Sequence, residues 1–125
     1  MEGGKDPDCR GTMIWDESKW NKSLRQFYSK MMSVRNSSPA LRRGNYRTLL
    51  TDDERELFVF ERRMDSERMY IAINKNEKSC KVEFPVDADV RSCADVLTNE
   101  NVAVRAGHGR CAIKARSGRI LAAKI

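Results

Sequence analysis

The sequence predicts a mainly β protein, an antiparallel two-sheet β-sandwich of about eight strands with one α-helix before it. Two observations carry this prediction. Apolar residues recur at three- and four-residue steps before Gly44 and at every second position after it, which indicates a helix followed by strands. Turn-forming residues then interrupt the chain at short, even intervals. A length of 125 residues is enough for one modest core.

Residues 1–17, which open with MEGGKDPDCRGTMIWD, follow neither period and are expected to form a loop. They contain paired glycines at 3–4 and an Asp-Pro turn signal. Several side chains suited to contact with a ligand and a neighbouring scaffold follow at close spacing, namely Arg10, Met13, Trp15 and Asp16. No strand precedes the loop, so the scaffold is expected to lie outside the chain.

An amphipathic helix is predicted from Ser18 to about Asn36. Asp16 or Ser18 can cap its first turn, and the run Asn36-Ser-Ser-Pro39 ends it. Its apolar stripe is wide and is expected to pack against something large. The stripe consists of Trp20, Leu24, Phe27, Tyr28, Met31 and Val34.

A short helical turn at Ala40–Arg43 ends at Gly44, and strands follow. The predicted strands are Tyr46–Leu50, Leu57–Arg63, Met69–Asn74, Cys80–Phe84, Ser92–Leu97, Val102–Arg105, Cys111–Ala115 and Ile120–Lys124. Alternation is clearest in the third and fourth of them. In the third, Met69, Ile71 and Ile73 face one way; in the fourth, Cys80, Val82 and Phe84 oppose Lys81 and Glu83.

A lone helix between a loop and a β-sandwich is unusual for a small domain. The helix is better interpreted as the remnant of a (β/α)8 barrel, in which ligand-binding residues lie on the loops that follow strands. The sequence therefore predicts two domains, the end of a barrel at 1–44 and a C-terminal β-sandwich at 45–125.

The net charge of +6 raises the question of nucleic acid. Basic residues are interleaved with acidic ones, as in DDERE at 52–56, and no nucleic-acid-binding motif is present. Solvated sheet faces and a former contact with an acidic domain explain the charge better. A steep salt dependence of DNA or RNA binding would support the alternative.

Four cysteines, Cys9, Cys80, Cys93 and Cys111, are widely spaced and form no CxxC pair. We expect reduced thiols in a cytoplasmic protein. His108 and Cys111 offer at most half of a zinc site, so neither a metal nor another cofactor is predicted. No apolar run is long enough to span a bilayer, and a membrane is not an expected partner.

The segment GGKDPDCRGTMIWDE resembles the loop after the eighth barrel strand of α-amylase-family glycoside hydrolases, especially the neopullulanase, cyclomaltodextrinase and maltogenic amylase group. The helix ending in VRNSSPALRRG, the following YRTLL and the closing SGRILAAK are similar to the last barrel helix and C-terminal β-domain of that family. The resemblance implies a parent that cleaves α-1,4 and often α-1,6 glucosidic bonds in cyclodextrin, pullulan or starch fragments. The mechanism is retaining, with two carboxyl groups about 5 Å apart.

By that resemblance the catalytic carboxyl groups lie on earlier barrel strands, and no catalytic residue is predicted in this chain. Asp52, Asp53 and Glu54 are interpreted as a solvated turn, and Asp87 and Asp89 as solvated loop residues. The chain alone is expected to be an inactive C-terminal fragment. Its helix face around Leu24, Phe27 and Met31, having lost the barrel, is expected to self-associate.

Asp6 and Arg10 match the family positions that hold a glucose ring of the α-glucan on the non-reducing side of the cleaved bond. A carboxylate accepts hydrogen bonds from sugar hydroxyls, and a guanidinium donates them. The alternative is that the two residues pair with each other and only shape the loop. Trp15 and Trp20 are expected to pack rather than to stack on sugar.

A different hypothesis makes the chain a freestanding carbohydrate-binding or interaction module. Such a module needs exposed aromatic residues along one sheet. The aromatic residues after position 44 are few, and most are predicted at core-facing or undefined places: Tyr46, Phe58, Phe60, Tyr70 and Phe84.

Overall fold

A computed structural model describes residues 4–125 of the chain. It divides into two compact units, Met1–Ser33 and Val34–Ile125. Gly3, the first of the paired glycines in the loop segment, lies outside the described residues. The predicted division into domains at residue 44 stays a prediction.

The part of the first unit that is described is a loop with two short 3-10 turns, Asp8–Arg10 and Glu17–Lys19, and the start of a helix. Asp16 caps the second turn, because its carboxylate accepts hydrogen bonds from the Ser18 backbone N–H at 3.0 Å and from the Ser18 hydroxyl at 2.6 Å. These bonds lower the pKa of Asp16. Helix α1 runs from Lys22 to Ser37 and begins later than predicted, since the Asn21 side chain caps it through the Leu24 N–H.

Helix α2, Pro39–Arg43, forms where the helical turn was predicted. The Ser38 hydroxyl accepts a hydrogen bond from the Leu41 N–H at 3.1 Å. Glu67, 29 residues further along, accepts from the Ser38 hydroxyl at 2.7 Å and from the Ala40 N–H at 2.8 Å. This carboxylate therefore holds the helix N-terminus against the sheet. Gly44 ends the helix, and a Cβ atom there would lie 2.5 Å from the Ala40 carbonyl oxygen.

The structure confirms each of the predicted strands and the mainly β, antiparallel class. Within residues 4–125 the strands are β1 Asn45–Asp52, β2 Leu57–Met64, β3 Glu67–Asn74, β4 Cys80–Pro85, β5 Ser92–Asp95, β6 Asn101–Arg105, β7 His108–Ile113 and β8 Ser117–Lys124. They form one sheet in the order β1-β2-β3-β8-β5-β6-β7-β4.

The predicted separation into two sheets is wrong. Strand β6 pairs with β5 along one edge and with β7 along the other, so hydrogen bonding continues where a sandwich would be divided. The outer strands β1 and β4 also touch each other, and the sheet is nearly closed. A partly closed sheet encloses a core in the same way as two facing layers do.

Strand β7 begins three residues before the predicted start at Cys111. The turn that precedes it is centred on Ala106 and Gly107, with φ of 49° and 73°, rather than on residues 107–109. Positive φ at both central residues is the geometry of a tight hairpin turn. Alanine rarely adopts it, and the sequence pattern therefore pointed to the glycines alone.

The core lies on the inner face of the sheet. It contains Leu57, Val59, Tyr70, Ala72, Val82, Phe84, Val90, Cys93, Val102, Ile113 and Leu121. In β4 the predicted alternation is confirmed. In β3 the residues Met69, Ile71 and Ile73 share a face as predicted, but it is the outer one, while Tyr70 and Ala72 point into the core. Both faces of β3 are apolar, so the sequence alone does not fix which faces inward.

Candidate functional site

The loop before α1 holds the two predicted sugar-binding residues, Asp6 and Arg10. One turn of 3-10 helix places them on the same side, and a guanidinium nitrogen of Arg10 lies 2.7 Å from a carboxylate oxygen of Asp6. The side chains are 68% and 72% exposed. The alternative in which they pair with each other is therefore what the structure has. Contact with sugar stays a prediction.

The pairing of Asp6 with Arg10 does not exhaust their hydrogen-bonding capacity. A carboxylate offers about four lone-pair sites, and a guanidinium carries five N–H donors in a rigid fork. Because the pair is exposed, its own contribution to stability is small. The arrangement can present a donor and an acceptor side by side to a polyhydroxylated ligand.

The two tryptophans of the loop differ in surroundings. Trp20 is partly buried: its indole N–H donates to the Ile14 carbonyl at 2.5 Å, and the Arg25 guanidinium carbon lies 4.6 Å from its ring centroid. The contacts of Trp20 among the described residues are thus local, and its predicted place in a core stays a prediction. Trp15 is 80% exposed, so no core among the described residues covers it. Its predicted packing onto a barrel stays a prediction.

The acidic turn after β1 has the predicted character, and Asp52 pairs with Arg55 at 2.7 Å. Asp89 is 49% exposed, which agrees with its interpretation as solvated, whereas Asp87 is 27% exposed and more buried than predicted. Asp87 lies 2.8 Å from Arg63 and 3.3 Å from Arg47, and Asp89 lies 2.5 Å from the buried Arg68. Their partners are more than 20 residues away in sequence, so no local pattern could reveal them.

A groove of about 450 Å³ lies over β4 and β7. Glu83 is the carboxylate that lines it, and this group pairs with Arg110 at 2.9 Å. Retaining glycoside hydrolysis needs two carboxyl groups that face the bond. The groove therefore lacks the arrangement for that reaction.

Three aromatic residues on the outer face of β1 and β2 form a feature that the sequence analysis missed. The Tyr46 and Phe60 ring centroids lie 5.2 Å apart, and those of Phe58 and Phe60 lie 5.6 Å apart. Tyr46 is 55% exposed. Ile71 and Ile73 stand opposite Phe60 and Phe58 on β3. The sequence contains a signal for this face, because Phe58 and Phe60 alternate with the core residues Leu57 and Val59 along β2 and must therefore point outward.

The four cysteines, all within the described residues, are free thiols. Cys93 is buried, and burial raises its thiol pKa to about 11. Among residues 4–125 no three His, Cys, Asp or Glu side chains converge in a way that could hold a metal ion. None of the helices in this range is long and apolar enough to cross a membrane.

Comparisons of the chain with a family model and with known proteins agree on one family. A family model for the C-terminal domain of maltogenic amylase matches residues 46–120. The chain is 35% identical over 106 residues to a cyclomaltodextrinase of Geobacillus thermopakistaniensis, covering 85% of the chain and 18% of that protein. It is 30% identical over 122 residues to neopullulanase 2 of Thermoactinomyces vulgaris, covering 97% of the chain and 21% of that protein.

Among solved structures, the α-amylase of Anoxybacillus superposes on 98% of the chain with a TM-score of 0.85 and 26% identity. The matched part is 26% of the amylase chain. The chain thus spans about a fifth of the length of the curated relatives and about a quarter of this structure.

Proposed function

Because the chain belongs to the family of maltogenic amylase C-terminal domains, we propose that it works as the β-domain of an α-glucan hydrolase. The domain covers and stabilises a catalytic barrel. The barrel supplies the carboxyl groups that cleave α-1,4 and α-1,6 glucosidic bonds by a retaining mechanism. The loop before α1 supplies part of one glucose subsite.

The observation that carries this proposal is the outer face of β1, β2 and β3. Here Tyr46, Phe58, Phe60, Ile71 and Ile73 leave a continuous apolar surface that is partly open to solvent. Ile73 is 41% exposed although its strand is flanked by β2 and β8. An apolar patch of this kind is a feature of surfaces that meet another protein or domain. A barrel packed on it would bury the five side chains.

The proposal predicts that this chain by itself does not hydrolyse α-glucans. Rigorously purified chain incubated with β-cyclodextrin or pullulan should release neither maltose nor glucose, because the two catalytic carboxyl groups belong to the barrel. Product release, measured by chromatography, would contradict the proposal. Sequencing of the coding region upstream for barrel strands is the matching genetic control.

In the chain joined to its barrel, replacement of the loop pair should weaken substrate binding. A hydrogen bond to a charged group contributes about 1.5–3 kcal/mol, so Asp6→Ala or Arg10→Ala should each lower kcat/KM about 10- to 100-fold. The exposed pair Glu77 and Arg116 offers a matched control, and Arg116→Ala should leave kcat/KM unchanged. Unchanged kinetics in both loop variants would reduce the pair to a loop-shaping role.

The isolated chain should self-associate through α1, since Leu24 and Phe27 are 50% and 55% exposed. Light scattering is expected to give a mass above the 14.4 kDa of one chain. Phe27→Glu should shift the mass towards the monomer, whereas Gln26→Glu, one position away on the helix, should not. A monomeric wild-type chain with low hydrophobic-dye binding would contradict this prediction.

A carbohydrate-binding module is a second candidate, favoured by the row Tyr46, Phe60 and Phe58. Aromatic faces can stack on sugar rings, and neighbouring ring centroids in this row lie 5.2 Å and 5.6 Å apart. Isothermal titration with maltoheptaose separates the candidates. A dissociation constant below about 1 mM that is lost in Tyr46→Ala would favour the module. Absence of binding would favour coverage by a barrel.

A cytoplasmic location completes the proposal. Free thiols at four positions are typical of proteins from a reducing compartment.

A further inference from the structure

A polar cluster lies between the inner face of β1–β3 and the segment that follows β4. Its charges balance, because three arginines meet three carboxylates. They are Arg47, Arg63, Arg68, Glu61, Asp87 and Asp89. The shortest links join Arg68 to Asp89 at 2.5 Å, and Arg47 to Glu61 and Arg63 to Asp87 at 2.8 Å each. The proposed function does not use this cluster.

Three buried atoms of the cluster have unused hydrogen-bonding capacity among the described residues. Glu61 Oε1 and Arg68 Nε have no partner, and the Tyr70 hydroxyl, which the Asp87 backbone N–H approaches, has no acceptor for its proton. The three residues are 2%, 7% and 0% exposed. Arg68 Nε comes no nearer than 3.5 Å to Asp87 Oδ2, which is long for a hydrogen bond. A buried polar group left in this state costs free energy, and native proteins rarely keep one.

The three atoms belong to one place. Glu61 and Tyr70 are direct cross-strand partners in the β2–β3 register, and Arg68 precedes Tyr70 by two residues on the same face of β3. Burial first, and then the charges of Glu61 and Asp87, raise the pKa of Tyr70 to about 12. The hydroxyl therefore keeps its proton at neutral pH and remains a donor.

The donor and acceptor balance identifies the missing partner. Arg68 Nε and the Tyr70 hydroxyl donate, and Glu61 Oε1 accepts. An anion could accept from the two donors but would be repelled by Glu61. A cation could approach Glu61 but would meet the Arg68 guanidinium. A water molecule accepts two hydrogen bonds and donates two, and internal waters typically make about three.

We propose that one internal water molecule binds in this cluster, accepting hydrogen bonds from Arg68 Nε and the Tyr70 hydroxyl and donating one to Glu61 Oε1. The water completes the network that fixes the segment around Asp87 and Asp89 to β2 and β3. The inference rests on the cluster alone and is independent of the proposed function.

A crystal structure of the chain tests the site directly. The expected result is an ordered water oxygen about 2.6–3.2 Å from each of the three atoms. A direct hydrogen bond from the Tyr70 hydroxyl to Glu61 without a water between them would overturn the proposal, as would a bound ion.

A solution measurement uses the two tyrosines as a matched pair. Oxygen-17 relaxation dispersion counts long-lived internal waters. Tyr70→Phe removes one donor and should lower the count by one. Tyr46→Phe removes the exposed hydroxyl that lies 3.2 Å from the Thr48 hydroxyl and should leave the count unchanged. Equal counts in the two variants would refute the site. Should Tyr70→Phe fail to fold, the wild-type crystal structure still decides.

Discussion

Asn74→Asp should destabilise the protein by more than about 4 kcal/mol at neutral pH, although the two side chains have nearly the same shape. Asn74 is 1% exposed. The two N–H donors of its amide are shared among three carbonyl oxygens, those of Lys78 at 2.9 Å, Ile113 at 3.2 Å and Lys114 at 3.0 Å. In the variant a carboxylate oxygen would face these three acceptors without a proton, in a place that water does not reach.

The loss caused by Asn74→Asp should depend on pH in a defined direction. Burial among acceptors raises the folded-state pKa of the new carboxyl above its unfolded value. The variant is therefore most stable below the unfolded pKa of about 3.9 and loses stability as the pH rises through the raised folded pKa. Partial recovery below about pH 4, relative to wild type at the same pH, is the expected sign.

Asn76→Asp is the matched control, two residues further along the chain. The Asn76 side chain uses its oxygen, which accepts from the Lys78 N–H at 2.9 Å, and a carboxylate can do the same. Urea unfolding followed by circular dichroism should place Asn76→Asp within about 0.5 kcal/mol of wild type. Similar losses in both variants would show that the three carbonyl contacts do not define the site. If Asn74→Asp does not fold, Asn74→Ala should still lose about 3 kcal/mol.

Asn74 also illustrates what a sequence pattern cannot predict. It closes a strand in which both alternating sets of side chains are largely apolar, so the pattern does not decide which set faces the core. In the structure Tyr70, Ala72 and Asn74 face inward. The polar side chain can be buried because β7 and the turn after β3 bring three carbonyl groups to it. Two of these carbonyl groups, those of Ile113 and Lys114, lie about 40 residues away from Asn74 in sequence, so a local pattern does not reveal them.

Local signals were reliable where one physical cause was sufficient. The strict alternation of β4 defined its inner face, and the Gly44 stop defined the end of α2. The opposite charges of Asp6 and Arg10 allowed their pairing to be foreseen as an alternative.

Such local signals do not predict contacts between residues that are far apart in sequence. The continuity of the sheet through β6 depends on which strands meet, and short strands of similar composition do not encode this choice locally. The same holds for the ion pairs of Asp87 and Asp89, because these loop residues meet Arg63 and Arg68 only where β2 and β3 bring the two arginines to them. In the candidate site, the family resemblance pointed to Asp6 and Arg10, whereas the aromatic row on the outer face appeared only when β1 and β2 were paired.

Asp95→Ala should cost about 3–5 kcal/mol, the second largest effect expected. The Asp95 carboxylate is 3% exposed and accepts three hydrogen bonds. Arg119 Nε donates at 2.7 Å, and the backbone N–H groups of Leu97 and Thr98 donate at 2.8 Å and 3.2 Å. Loss of the carboxylate leaves a guanidinium that is only 13% exposed without its buried partner and opens the turn that ends β5. Arg119 retains its contact with Glu100, which limits the loss.

The exposed pair Glu77 and Arg116 has the same chemistry with 77% and 71% exposure, and Glu77→Ala should change stability by less than about 0.5 kcal/mol. A double-mutant cycle with Arg119→Met separates the two roles of Asp95, because only the ion-pair part is coupled to Arg119. If Asp95→Ala costs no more than Glu77→Ala, burial does not control the strength of this pair. A large loss with weak coupling to Arg119 would assign the role of Asp95 to the turn, and β5 would then depend on its cap more than on its charge.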